Sequence, residues 1–264
     1  MSYDLDAIQN GPRDLPPRII LCGTEKTGKT HFAAHAPGSV ILPVKGETGA
    51  DYYDSVLPTA NSFDDVMGWI GSLAKSKHEY KTLCIDSVSA LEQLIWDAVC
   101  AEAKVDSIEK VGGGYGKGYG EALSKWRRLE QGLDYLREQK KMTCILIAHV
   151  KVKRFDDPNG EGYDRYQIDL HEKATNLLSR WADCTLFFNR KTFVQNKDAG
   201  FGKVTSKAKD QGRYMFTQSR PAHPGGGRGV YGQIAYEIEL PDGDSYQAFA
   251  DAVEAAKNEN KKGE

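Results

Sequence analysis

Arg18-Ile-Ile-Leu-Cys-Gly-Thr-Glu-Lys-Thr-Gly-Lys-Thr30 is the stretch that decides the fold of this chain. A short apolar run ends in Gly23, and the spacing Gly23-x4-Gly28-Lys29-Thr30 fits the phosphate-loop pattern G-x-x-x-x-G-K-[ST]. Ile19 to Cys22 reads as a buried strand, and Thr30-His-Phe-Ala-Ala-His35 can open a helix. Glycines there let the backbone wrap a phosphate, so that successive N–H groups and a helix N-terminus face the anion. The pattern predicts a nucleoside triphosphate, ATP, held by Gly23, Thr24, Glu25, Lys26, Thr27, Gly28, Lys29, Thr30 and His31. Lys29, expected on an exposed loop, would reach the β- and γ-phosphates. The Thr30 hydroxyl would join a Mg2+ shell, which prefers hard oxygen ligands. A chance Gly/Lys-rich turn is the plain alternative.

Working outward, four further apolar runs follow: Ser39–Val44, Thr82–Asp86, Thr143–His149 and Asp183–Phe188. Helical patterns separate them. Between Ser62 and Lys75, for example, Phe63, Val66, Trp69, Ile70 and Leu73 recur at helix-face spacing. Helices are also expected over Ser87–Ala103, Gly120–Gln139, Lys173–Trp181 and Ser245–Asn258. Strands alternating with helices imply right-handed crossovers, and hence an α/β fold whose mostly parallel sheet is covered on both faces.

Residues 1–17, with four Gly or Pro residues, read as an extended lead-in, 18–258 as one domain, and 259–264 as a charged tail. Within that domain, 190–258 form a C-terminal part of hairpins and Gly-rich segments, broken at Asn196–Gly202 and Asp210–Gly212.

The net charge of -2 over 264 residues excludes a protein that is basic throughout, so any nucleic-acid contact must come from local loops or from assembly. No apolar run approaches the roughly 18 residues that span a membrane. The acidic N-terminus lacks a signal-peptide pattern, and the five cysteines form no C-x-x-C pair. A cytoplasmic protein with reduced thiols and no membrane partner is expected. His171-Glu-Lys-Ala-Thr175 starts like a zinc motif but lacks the second histidine.

Leu83-Cys-Ile-Asp86 reads as a strand that sets an Asp at the carboxyl edge of the sheet, where open α/β sheets bind ligands. Asp86 is the second candidate for Mg2+; its competing role is to cap the helix that begins at Ser87. The next residue is Ser87 rather than a second acid, so a base for the attacking water must come from elsewhere. Glu47, after the second strand in Lys45-Gly-Glu-Thr-Gly49, is the candidate, and a plain loop carboxylate is the alternative. His149 closes the next strand and can sense a γ-phosphate; local hydrogen bonds would also satisfy it. Lys29, Glu47, Asp86 and His149 are thus the catalytic candidates.

This order of elements resembles the RecA-type ATPase core. More narrowly, the chain resembles the small phage ATPases of the single-strand annealing "Sak-four" group. The residues that carry the resemblance are Gly23–Thr30, Gly46-Glu47, Ile85-Asp86-Ser87, Tyr115-Gly-Lys-Gly-Tyr-Gly120, Ala148-His149 and Ala182-Asp183. The large terminal appendages of bacterial RecA have no counterpart. The resemblance implies an ATP- and Mg2+-dependent recombination or annealing ATPase that acts on single-stranded DNA as a homo-oligomer. A single-stranded-DNA-binding protein is a further partner, and the host cytoplasm the location if the gene is a phage's.

The resemblance also implies two DNA-facing loops. In Lys104–Gly120, glycines let the backbone approach a strand, Tyr115 and Tyr119 offer stacking faces, and Lys117 offers charge. In Val150–Leu170, Lys151, Lys153 and Arg154 offer charge that acidic neighbours offset. Plain mobile loops, protein interfaces or a solvated hairpin would leave the same traces. A neighbouring subunit's basic residue is expected at the γ-phosphate; Lys207, Lys209, Arg213, Arg220 and Arg228 are the choices. Two other functions stay open: a nucleotide-switched protein-interaction ATPase without DNA binding, and a small-molecule kinase.

Overall fold

The computed structural model describes the backbone of residues 8, 11, 13–158, 160–198 and 204–263, and their side chains except at 192–198, 204–211 and 260–263. Five strands lie parallel at its centre: β1 (Arg18–Gly23), β2 (Ser39–Pro43), β3 (Thr82–Asp86), β4 (Thr143–Ala148) and β7 (Cys184–Asp198). Two strands continue the sheet antiparallel beyond β7, namely β8 (Val204–Phe216) and β10 (Glu237–Glu239). The order is β10-β8-β7-β1-β4-β3-β2, and the short β9 (Gly226–Gly227) pairs with the start of β7. This is the α/β fold with a mostly parallel sheet that the sequence predicts, with C-terminal antiparallel strands.

The central strands are apolar without alternation because both faces of the sheet are covered. Ile20 and Cys22 face the side closed by α2 (Phe63–Lys75), α3 (Val88–Ala103), α4 (Lys117–Gln139) and α5 (Glu172–Trp181). Ile19 and Leu21 face the side closed by α1 (Lys29–Ala34) and α6 (Ser245–Gly263), where Phe32 and Phe249 pack. The α2 pattern behaves as its spacing demands: Phe63, Val66, Ile70 and Leu73 are buried, and the Ser62 hydroxyl accepts from the Asp65 N–H at 3.1 Å as N-cap.

Three boundaries differ from the sequence expectation. Helix α4 begins at Lys117 rather than Gly120 because Gly118 fits where a Cβ would lie 2.1 Å from the Ile108 carbonyl oxygen. The break expected at Asp210–Gly212 is an irregularity within the strand rather than a turn: β8 runs through it, the pairing with β7 shifts register there, and Gly212 has φ 103. Helix α6 runs on to Gly263, through the stretch read as a tail.

After β4 the chain leaves the sheet as a separate hairpin, β5 (Val150–Phe155) and β6 (Tyr163–Ile168), with Lys151 opposite Gln167 and Lys153 opposite Arg165.

Candidate nucleotide-binding and catalytic site

The phosphate loop joins β1 to α1 at the carboxyl edge of the sheet. Gly23 is obligatory there, since a Cβ would fall 2.1 Å from the carbonyl oxygen of Phe188 on the adjacent β7. Gly28 is the N-cap of α1 at φ 96, a backbone conformation that side chains resist. Thr27 is 1% exposed and donates its hydroxyl to the Thr24 carbonyl at 2.8 Å, pinning the loop across its mouth. Thr24 in turn bonds Asn189 at 3.0 Å, while Glu25 and Lys26 form the exposed crest.

Lys29 is 7% exposed, not on an open loop as the sequence suggested. Its Nζ donates to the carbonyls of Gly23 and Thr24 at 2.9 and 2.7 Å, folded back into the loop it serves. Burial lowers its pKa, while Asp86, Cys22 and Glu47 pull the other way. His31 follows the loop, with Nε2 2.7 Å from the Gly243 carbonyl and Nδ1 3.2 Å from the Tyr53 hydroxyl.

Thr30 Oγ1 donates to Asp86 Oδ2 at 2.7 Å, so the two candidate Mg2+ residues are brought together. Burial raises the Asp86 pKa, and the Thr30 hydrogen bond opposes the rise. A hydroxyl and a carboxylate at the mouth of a phosphate loop are hard oxygen donors, and they fit Mg2+. The capping role considered for Asp86 belongs instead to Ser87, whose hydroxyl accepts from the Ala90 N–H at 3.1 Å. The sequence reading missed Gly49. A Cβ there would sit 2.9 Å from Thr30 Oγ1 and 3.6 Å from Asp86 Oδ2, crowding both donors.

Glu47, Ser87 and His149 meet beside this pair. Ser87 Oγ donates to Glu47 Oε1 at 2.5 Å, and His149 Nε2 lies 2.8 Å from the same oxygen. The His149 hydrogen bond is the main cause lowering the Glu47 pKa, and the same bond raises that of His149. Both bonds go to Oε1. His149 is thus not satisfied by local backbone but by the candidate base.

The same end of α3 holds both roots of the β5–β6 hairpin. The His149 N–H donates to Ser89 Oγ at 3.0 Å. At the other root, the His171 N–H reaches Glu92 Oε1 and Oε2 at 3.0 and 2.9 Å. Neither Ser89 nor Glu92 stood out in the sequence, because on α3 each occupies an ordinary helix position.

The remaining candidates fall as follows. Tyr115 is fully exposed, and Lys117 lies exposed in the first turn of α4 with Nζ on the Gly112 carbonyl. Tyr119 stacks one face on His171, centroids 4.1 Å apart, and meets Trp96 edge-on, so its ring also packs within the fold. On the hairpin, Lys151 pairs with Asp169 at 2.8 Å, while Lys153 and Arg154 are exposed. Arg213 is corrected as a residue reaching a neighbour. It bonds the Pro241 carbonyl and Asp242 at 3.0 Å, and its Nη1 lies 2.8 Å from where a Gly28 Cβ would be, against its own phosphate loop. Arg220 lies over the Tyr236 ring at 4.2 Å. Lys207 and Lys209 sit on β8, where side chains lie outside the described residues.

Residues 15–229 match the model of a family described as an AAA domain. No curated protein matches the chain. Among solved structures, a crystal structure of the RadB recombinase is similar at 15% identity, covering 76% of this chain and 81% of that one with a TM-score of 0.42. No helix among the described residues is long and apolar enough to cross a membrane.

Proposed function

The chain belongs to the AAA domain family and carries a nucleotide-dependent ATPase domain; from that premise we propose that it hydrolyses ATP with Mg2+ to control single-stranded DNA, as a recombination or annealing ATPase of the phage type. The observation that carries the reading is the placement of Glu47 between Ser87 and His149, next to the Thr30–Asp86 pair and at the root of an exposed cationic hairpin.

In this mechanism Lys29 exchanges the Gly23 and Thr24 carbonyls for the β- and γ-phosphate oxygens. Thr30 and Asp86 hold Mg2+, directly or through its waters; when bound, the ion neutralises charge on the phosphates. Glu47 orients the attacking water through Oε2 and receives its proton. Its depressed pKa keeps it ionised at neutral pH, at some cost in basicity. His149 and Ser87 fix the carboxylate, so that a γ-phosphate in the site alters the hydrogen bond at the head of the hairpin. Since Val150 follows directly, the order of the hairpin follows the nucleotide. Tyr115, Lys117, Lys151, Lys153 and Arg154 are the proposed DNA contacts. Sites lie at the boundaries of a homo-oligomer, where Lys207, Lys209 or Arg220 of a neighbour would act.

Phosphate release measured with and without single-stranded DNA tests this. Stimulation by DNA is expected. Turnover indifferent to DNA would instead favour the protein-interaction ATPase, and phosphate transfer to a small acceptor the kinase.

A further inference from the structure

Strand alternation sorts the charges of the hairpin in a way that its composition conceals. Lys151, Lys153 and Phe155 share one face of β5, and their partners Gln167, Arg165 and Tyr163 share the same face of β6. Asp164 is opposite Arg154 on the other face, and Asp169 is bound to Lys151 at the root. The cationic face is open to solvent at Lys151 and Lys153. It forms one wall of a cleft of about 1100 Å³, which α5 and the Pro224–Arg228 segment close on the other sides.

These walls are fixed to one another by backbone. The Tyr166 N–H donates to the Ala222 carbonyl at 2.9 Å, and the Arg228 N–H to the Asp183 carbonyl at 2.9 Å. Strand β9 is paired to Cys184 and Thr185 on the floor. The acid on that floor, Asp183, is already held by Arg18 and Arg137 at 2.9 and 3.3 Å. Gln167 and Asn176 line the cleft with amides. Asp156 and Glu172 also line the cleft, but Lys153, Arg154, Arg165 and Arg228 outnumber them, the last with its guanidinium also on the Arg180 carbonyl. The Arg165 guanidinium lies 4.5 Å from the Phe155 ring centroid, and its buried Nε has no hydrogen-bond partner among the described residues.

We propose that this cleft is the path of a single nucleic-acid strand, with α5 and the glycine-rich Pro224–Arg228 segment as its second wall. The inference rests on the single-strand reading above and adds residues from outside the hairpin to it. A cleft of about 1100 Å³ has room for more than one nucleotide unit. A charged wall with a ring–guanidinium pair, amide side chains and close-approach glycine backbone suits phosphates and base faces.

The test uses the whole protein with ATP and a labelled oligothymidylate, comparing Arg228→Gln and Asn176→Asp with Lys75→Gln, an exposed lysine remote from the cleft at the end of α2. Circular dichroism and thermal melting check that each variant folds. Both cleft variants should weaken binding by about threefold to tenfold, and Arg228→Gln should flatten the salt slope by about 0.7. Lys75→Gln should bind as the parent does. If Lys153→Gln weakens binding while Arg228→Gln and Asn176→Asp do not, the strand crosses the hairpin elsewhere and the cleft assignment falls. If the parent binds no oligonucleotide in any nucleotide state, the DNA reading itself falls. In that case, binding of a polyglutamate peptide lost in Arg228→Gln would identify the cleft as a protein site.

Discussion

Glu47 and His149 share a 2.8 Å hydrogen bond that joins the end of the second strand's loop to the end of the fourth strand. It places a candidate base in direct contact with the residue that precedes a cationic hairpin. Removing either partner should therefore have different consequences. Glu47→Gln should keep ATP affinity and cut turnover by about a hundredfold or more, as loss of a general base does. His149→Ala leaves the carboxylate with Ser87 alone. It should reduce turnover less, but abolish the difference in hairpin amide exchange between ATP and ADP. Phosphate release and hydrogen-exchange mass spectrometry over 150–170 separate the two.

Lys29→Ala should abolish turnover, and it carries a structural cost as well. The buried ammonium supplies a donor to two loop carbonyls. Leaving them short should cost about 1–3 kcal/mol, read as a lowered midpoint in urea. Asp86→Asn should impair Mg2+-dependent turnover more than Mg2+-free nucleotide binding, measured with a fluorescent analogue with and without chelator.

Glu92→Gln should stabilise the protein in a pH-dependent way. Burial lifts the Glu92 carboxyl from 4.5 to about 7, with the His171 N–H and Lys151 acting against the rise and Asp169 adding to it. Raising an acid's folded pKa makes stability fall as pH climbs between 4.5 and about 7, after which the loss is complete. Glutamine stays neutral and can still accept from His171. The variant's advantage should be absent near about pH 4 and full near about pH 8. A gain of about 1 kcal/mol would raise the melting midpoint by about 2–4 °C. Glu130, also raised to about 7, is common to both proteins and cancels in the comparison.

Tyr115→Ala and Tyr119→Ala should part company. Tyr115 has no packing to lose, and its removal should cost about 1–3 kcal/mol of single-strand affinity with no change in melting. Tyr119→Ala gives up its contacts with His171 and Trp96, and should destabilise the fold by about 2 kcal/mol. Thermal melts alongside oligonucleotide titrations distinguish them.

The central sheet was legible because its strands are short apolar runs that end in chemistry: Gly23, Asp86 and His149 each close a strand at the same edge. Local spacing also carried α2, whose buried face repeats every three or four residues. What lay beyond reach depends on partners distant in sequence. Lys29 and Gly49 could not be judged without the loop carbonyls and the Thr30–Asp86 pair that surround them. Tyr119 looked free because a Gly/Tyr run carries no sign of His171, more than fifty residues on. Arg213 lies on β8, far along the chain from the phosphate loop, and only the fold brings it to Gly28.

Titration of a labelled single-stranded oligonucleotide against the parent protein, at several salt concentrations with ATP, ADP or no nucleotide, tests the central claim most directly. The account predicts tightest binding with ATP, weaker binding with ADP, and a salt slope that flattens when Lys151, Lys153 and Arg154 are neutralised together. Binding of equal strength in all three nucleotide states, or none in any, would contradict it.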